Sequence, residues 1–169
     1  MNNLAFYGKM TMGDFMYIRN ILDDDTYLNE YIRLCSMEWG DNKTNKEMEE
    51  YVEKKKEKIK TEDKVILVLG LFDTSELVGF ISLFKYDGDE RKDLTPWYAT
   101  MYVKRQYRGK GYSKVLNDAL IEEALNLGYN RLYLKSSLIN YYEKFGAIYM
   151  KDLECGEKLY YIDCISKSH

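Results

Sequence analysis

Histidine is almost missing from this 169-residue chain, and its one copy, His169, is the last residue. Chain ends usually fray, so Ser-His-Asp triads, Cys-His pairs and histidine-rich metal sites are excluded at the outset. Cysteine is also scarce. Cys35, Cys155 and Cys164 are odd in number, far apart and without a C-x-x-C pair. That excludes a disulfide framework or a zinc site and fits free thiols in a reducing compartment. Proline occurs once, and no Pro/Gly/Ser-rich linker or internal repeat breaks the chain, so one domain over 1–169 is expected. No apolar run reaches membrane-spanning length, and residues 1–9 lack the basic-then-apolar pattern of a signal peptide. Positive charge is not in excess either. The 25 Lys+Arg against 28 Asp+Glu give net −3, which argues against a nucleic-acid partner. The expectation is a soluble cytoplasmic protein with neither nucleic acid nor membrane as partner.

Tyrosine, by contrast, is abundant, with 17 copies. A phenol can act as an acid, but so many cannot all be catalytic, and composition singles out none. Along the chain, residues 4–10 read as a short strand, and Asp14 as the cap of a short helix through Leu22. A stronger helix is expected over 26–39. Thr44 caps another, with Glu47 completing a capping box. That helix carries the run Glu53-Lys54-Lys55-Lys56-Glu57-Lys58-Ile59-Lys60, which is either a basic docking patch or a solvated mixed-charge face.

Residues 65–72 form a continuous apolar run suited to a central strand, and 73–76 a hairpin turn into a strand over 77–84. A polar loop, 87–93, leads through Pro96 into a strand over 97–103. Apolar positions at helical spacing then mark a helix over 111–127, with Gly128 suited to its C′ position. A strand over 131–135, a short helix over 137–145 and a hairpin of 147–152 with 158–165 complete the chain. The fold class is α/β, with a mixed central sheet of about seven strands and flanking helices. The order is β-α-α-β-β-β-α-β-α-β-β.

The most informative stretch is Val103-Lys104-Arg105-Gln106-Tyr107-Arg108-Gly109-Lys110-Gly111-Tyr112-Ser113, between a strand and an amphipathic helix. Gly109 and Gly111 let backbone N–H groups approach an anion, and the helix start adds unpaired donors and a positive dipole end. Arg105, Arg108 and Lys110 add charge around the same point. Together these describe a diphosphate cradle. It is not a Walker A loop, for no Gly-Lys-Ser/Thr follows at the required spacing, and Lys114 replaces the third glycine of a dinucleotide fingerprint.

Gln106-x-x-Gly109-x-Gly111 after a strand resembles the pyrophosphate motif of the GNAT superfamily of N-acetyltransferases, which use acetyl-CoA. Tyr142-Glu143-Lys144-Phe145-Gly146 resembles that family's Y-E-K-x-G segment. Asp93-Leu94-Thr95-Pro96-Trp97 resembles the D-L-x-P-W lead-in to the fourth strand in a bacterial subgroup. The resemblance implies that main-chain N–H groups of Arg108, Gly109, Lys110, Gly111, Tyr112 and Ser113 hold the pyrophosphate. It implies that Met101 and Val103 pair with the pantetheine arm, that the strand before the loop splays from the next, and that Tyr142 lies near the thioester sulfur. Three positions depart from the family pattern: Lys135 or Ser136 where an asparagine is common, Ala147 for an aromatic, and Ser113 for a glycine.

Acetyl transfer needs a neutral amine, donors for the carbonyl oxygen and a proton for the departing thiolate. A phenol, with a reference pKa about 10 against about 8.5 for a thiol, stays protonated at neutral pH. Tyr142 is the candidate acid by motif position, with Tyr141 pointing about 100° around the expected helix. A main-chain N–H near Met101 to Val103 is the natural oxyanion donor. The strand over 97–103 has no carboxylate, so Glu38 and Asp93 are the candidate bases. The expected activity is acetyl-CoA-dependent N-acetylation of a primary amine, small molecule or peptide, by a monomer or homodimer without a metal. The alternative is a non-catalytic acyl-CoA-binding regulatory or sensor module.

Overall fold

A computed structural model of the protein describes residues 15–165. The strand expected at 4–10 lies outside them. The elements are β1 (Met16–Asn20), α1 (Asp25–Trp39), α2 (Asn45–Thr61), β2 (Val65–Asp73), β3 (Glu76–Phe84), β4 (Trp97–Val103), α3 (Tyr112–Asn126), β5 (Arg131–Ser136), β6 (Ile148–Asp152) and β7 (Lys158–Asp163). The seven strands form one open sheet in the order β1-β2-β3-β4-β5-β7-β6. Every neighbouring pair is antiparallel except β4 with β5, so the sheet is mixed.

The apolar runs explain the centre of the sheet. β2 and β3 are buried almost throughout, and their pairing closes at Asp73↔Glu76 around the turn Thr74-Ser75. One face of the sheet is covered by α3 through Leu116, Ala119, Leu120, Ile121 and Ala124. The other packs α1 and α2 through Leu28, Tyr31, Ile32 and Val52 against Val68, Phe72 and Phe80. The helix ends follow their local chemistry. Thr44 and Glu47 form the reciprocal capping box. At the end of α3, Gly128 N–H donates to Leu125 and Tyr129 N–H to Ala124, the paired bonds of a Schellman closure. In the charged run on α2, Lys56 pairs with Glu53 at 2.9 Å, while Lys56 and Lys60 both reach Asp25 at the start of α1. Two lysines of that run therefore tie the two helices together.

Two expected helices do not form among the described residues; Asp14, the expected cap of the first, lies outside them. Within 14–22, Met16–Asn20 is instead the edge strand β1, paired along β2 with Ile18 fully buried. Asn20 Oδ1 accepts from the N–H groups of Val68 and Leu22, fixing the turn out of the strand. So short a segment gains more from an existing ladder than from an isolated helix with its costly first turn. Over 137–145 only one 3-10 turn forms, Glu143–Phe145. Ser136 Oγ takes the N–H of Leu138, and Asn140 has φ 57°, a left-handed residue that a helix cannot pass through.

Candidate active site

β4 and β5 pair at a single position, Trp97↔Tyr133, beside a bond from the Tyr133 N–H to the Pro96 carbonyl at 3.0 Å. Beyond that point β4 stays on β3 and β5 stays on β7. The two strands therefore part, and each turns backbone donors and acceptors toward the gap. An extended ligand can pair there as an inserted strand.

A bulge shapes the β4 side of the gap. Ser82 pairs with Ala99 and Phe80 with Tyr102, so Ile81 faces two residues, Thr100 and Met101. Thr100 has φ 45°, an uncommon conformation for a β-branched residue. The extra residue shifts the alternation, so that Tyr98, Met101 and Val103 pack on the α3 side and Tyr102 on the α1 side. A closed ring of hydroxyls holds the bulge. Thr100 Oγ1 donates to Ser82 Oγ, Ser82 Oγ donates to the Tyr31 hydroxyl at 3.0 Å, and Tyr31 lies 3.2 Å from Thr100 Oγ1. Each hydroxyl can thus give one bond and take one, an arrangement in which the members strengthen each other.

At its C-terminal end β4 runs into the glycine loop. Gly109 and Gly111 have φ 77° and 81°, and a Cβ on either would meet nothing within 4 Å. No side chain caps the N-terminus of α3; Lys114 N–H turns back to the Gly111 carbonyl at 3.1 Å, and the positive end of the helix dipole opens on the loop. The cations divide their labour. Arg108 Nε donates to the Val103 carbonyl at 2.8 Å, with its guanidinium over the Tyr102 ring, so it braces the end of β4. Lys104 turns the other way, to Glu30 at 2.9 Å and Glu76 at 3.5 Å, and Tyr107 donates to Glu76 at 2.7 Å. That network binds the loop to α1 and to the β2–β3 hairpin. It was not apparent in the sequence, because its members come from three distant segments. Lys110 lies over the Tyr107 ring on the outer side.

Tyr142 follows β5 and packs its ring edge-on to Tyr98 of β4 at 5.8 Å, next to the point where the strands part. Tyr141 is not on a helix with it. The two rings meet edge-to-face at 4.9 Å, and Lys144 caps the Tyr141 ring. Burial pushes the Tyr142 phenol up to about 12, helped by Tyr141 and Glu157. Burial also raises the phenols of Tyr31 and Tyr98. The folded state thus holds these protons more tightly than the unfolded chain, whose phenols titrate near 10. Their contribution to stability is complete below about pH 10 and is lost as pH rises through the folded values. Melting temperatures should hold steady on this account from pH 7 to about 9 and fall above about 10, together with the rise of tyrosinate absorbance. Unfolding that precedes any tyrosinate signal would contradict this.

The two candidate bases are far from equivalent. Glu38, near the end of α1, lies 4.0 Å from the Arg108 guanidinium, at the loop end of β4. Asp93 is on the exposed loop before β4, gripped by Arg91 through two bonds of 2.8 and 2.6 Å. The Arg91 guanidinium holds its carboxyl below the usual range. Among the described residues, no group of three or more His, Cys, Asp or Glu side chains is arranged to hold a metal ion. No described helix is long and apolar enough to cross a membrane.

An open α/β sheet that splits at its one parallel pair, with a cationic glycine loop at the mouth, defines a protein built to hold a long anionic ligand between strands. The pattern of the Acetyltransferase (GNAT) family matches residues 28–147, which include the split, the loop and Tyr142. The chain belongs to the GNAT family of acetyltransferases. No curated protein matches the sequence. Among solved structures, an N-acetyltransferase from Staphylococcus aureus Mu50 is 18% identical, with a TM-score of 0.63 over 88% of this chain and 98% of that one. The yncA protein of Salmonella typhimurium, solved with its cofactor acetyl-CoA, is 16% identical, with a TM-score of 0.61 over 91% and 95%. The PaiA N-acetyltransferase of Thermoplasma acidophilum, in complex with coenzyme A, is 19% identical, with a TM-score of 0.59 over 88% and 98%. At these identities the likeness is one of fold.

Proposed function

We propose that this protein moves an acetyl group from acetyl-CoA to a primary amine by direct attack. The observation that carries the reading is the single-pair junction of β4 and β5, with Tyr142 beside it and the glycine loop at the far end of β4. Acetyl-CoA, when bound, supplies the acetyl thioester. Two features fit it: open space around Gly109 and Gly111, and facing strand edges that take an extended arm. Main-chain N–H groups from Gly109 to Ser113 hold the diphosphate, that of Arg108 being given to the Arg105 carbonyl at 3.2 Å. The main chain of Met101 and Val103 aligns the arm, and an N–H of the segment 101–103 supports the carbonyl oxygen as charge develops.

Tyr142 donates its O–H to the departing sulfur. Glu38, rather than the Arg91-bound Asp93, takes the amine proton, directly or through water. Direct attack also suits the thiols. Burial pushes the Cys35 thiol up to about 12, so it is no ready nucleophile, and Cys155 is exposed beyond β6, near Glu157.

The test is a panel of primary amines, amino acids and peptides incubated with acetyl-CoA, with free thiol as the signal. Amine-dependent thiol release and an acetylated product support transfer. Tight acetyl-CoA binding with no product from any amine makes the chain a sensor module instead.

A further inference from the structure

A second cavity lies on the other side of β4, between α1, α2 and the sheet, with a volume of about 260 Å³. It touches the bulge at Thr100, one residue before Met101. Its walls include the aromatic rings of Tyr31, Trp39, Tyr51 and Phe84. The volume is at the low end for ligand sites and suits one ring with short substituents, not a folded protein surface.

Its charge is one-sided. Lys55, Lys58 and Lys64 line it against a single carboxylate, Glu62, which Lys58 already pairs at 3.6 Å. Lys55 and Lys64 make no ion pair with a carboxylate among the described residues, and Lys64 lies over the rings of Phe84 and Tyr86. The lysines also have a place along the sheet. Lys64 precedes Val65, which pairs with Phe84, which in turn pairs with Trp97, three residues before Thr100. At about 3.3 Å per residue along the strands and about 4.8 Å for each of the two strand steps, the Lys64 main chain therefore lies about 16 Å from the bulge, a span its long side chain shortens. Ser36, 3% exposed, also lines the cavity.

We infer that this cavity binds the acceptor, and that the acceptor is a compact amine with an apolar or aromatic body and an anionic group at the end remote from the amine. The amine points to Thr100 and the split, and the anion to Lys55 and Lys64. Polyamines are excluded by the same lysines, since a second ammonium would sit among like charges. The inference rests on the acetyl-transfer reading for the direction of the amine, but the cavity's preference for an anion can be measured without transfer.

Three probes share one ring and a benzylic amine and differ at the far end, where they carry a carboxylate, a hydrogen or a second amine: 4-(aminomethyl)benzoate, benzylamine and 4-(aminomethyl)benzylamine. With acetyl-CoA, kcat/KM should be at least about tenfold higher for the benzoate than for benzylamine, and lowest for the diamine. In the K55Q/K64Q double variant the ratio of the first two should fall to near one. Calorimetric titration of the same probes into the coenzyme A-saturated protein should give the same order of affinities. Equal kcat/KM for all three overturns the inference and leaves acetyl transfer standing. Lysine-dependent binding of the benzoate without its acetylation upholds the anion site but overturns its assignment to the acceptor, and the amine panel then decides the transfer reading. No preference in either measurement, or a preference that survives the double variant, overturns the inference.

Discussion

Replacing Tyr142 with Phe should lower kcat about 100-fold and leave acetyl-CoA affinity within about twofold, the lower end of the range for a lost general acid. The pKa sets that size. Burial that lifts the phenol to about 12 keeps it protonated at any ordinary pH but also makes it a weaker acid than the thiol whose proton it must supply. Against a thiol near 8.5, complete transfer is uphill by roughly three units, about 4 to 5 kcal/mol. In the proposed reaction the phenol therefore acts chiefly by donating a hydrogen bond as charge builds on sulfur. Two consequences separate this role from packing. The ring stays against Tyr98, so the variant should melt close to the parent. With an acetyl thioester of a much more acidic thiol, the variant's deficit should shrink to a few-fold, because that leaving group needs little help. A deficit independent of the leaving thiol would remove Tyr142 from the chemistry. The pH–rate profile should also show no alkaline limb from this phenol below about pH 11.

The parts of this architecture that were legible in the sequence depend on local chemistry. The long apolar runs of β2 and β3, the capping box at Thr44, the helical spacing of α3 and its closure at Gly128 are each written within a few residues, and each stands where its pattern put it. The glycine loop was legible for the same reason. Elements decided by distant partners were not. β1 has too few residues for a period and is a strand because β2 offers a ladder. Thr100 looks like an ordinary strand residue, and nothing local signals its positive φ. The hydroxyl ring joins residues 51 and 69 positions apart, and Arg108, which reads as mobile phosphate-seeking charge, is bound to the Val103 carbonyl. The aromatic and lysine walls of the proposed acceptor cavity likewise come from α1, α2, β3 and the residue before β2. Sequence spacing alone does not bring them together.

Gly111→Val should weaken acetyl-CoA binding about 100-fold or more, and Gly128→Val should leave it within about twofold. The two glycines are matched controls at opposite ends of α3. Their φ values are 81° and 88°, and at both a Cβ would meet nothing within 4 Å of the protein. A β-branched residue in that conformation costs about 1–3 kcal/mol of strain, so both variants should lose stability, seen as lower urea midpoints. Only Gly111 belongs to the loop proposed to hold the diphosphate. There the side chain occupies space that is open in the free protein and needed in the complex, and strain also turns the first N–H groups of α3 away from the anion. A hundredfold loss corresponds to about 2.8 kcal/mol at 1.4 kcal/mol per tenfold, which is within reach of these two effects together. Gly111→Asn separates them. Asparagine tolerates the left-handed region, so this variant should recover most of the stability while still binding acetyl-CoA poorly. If the asparagine variant restored affinity as well, backbone geometry alone would account for the loss. If the valine variants at 111 and 128 weakened acetyl-CoA equally, the effect would belong to the helix as a whole and the diphosphate would have to be held elsewhere.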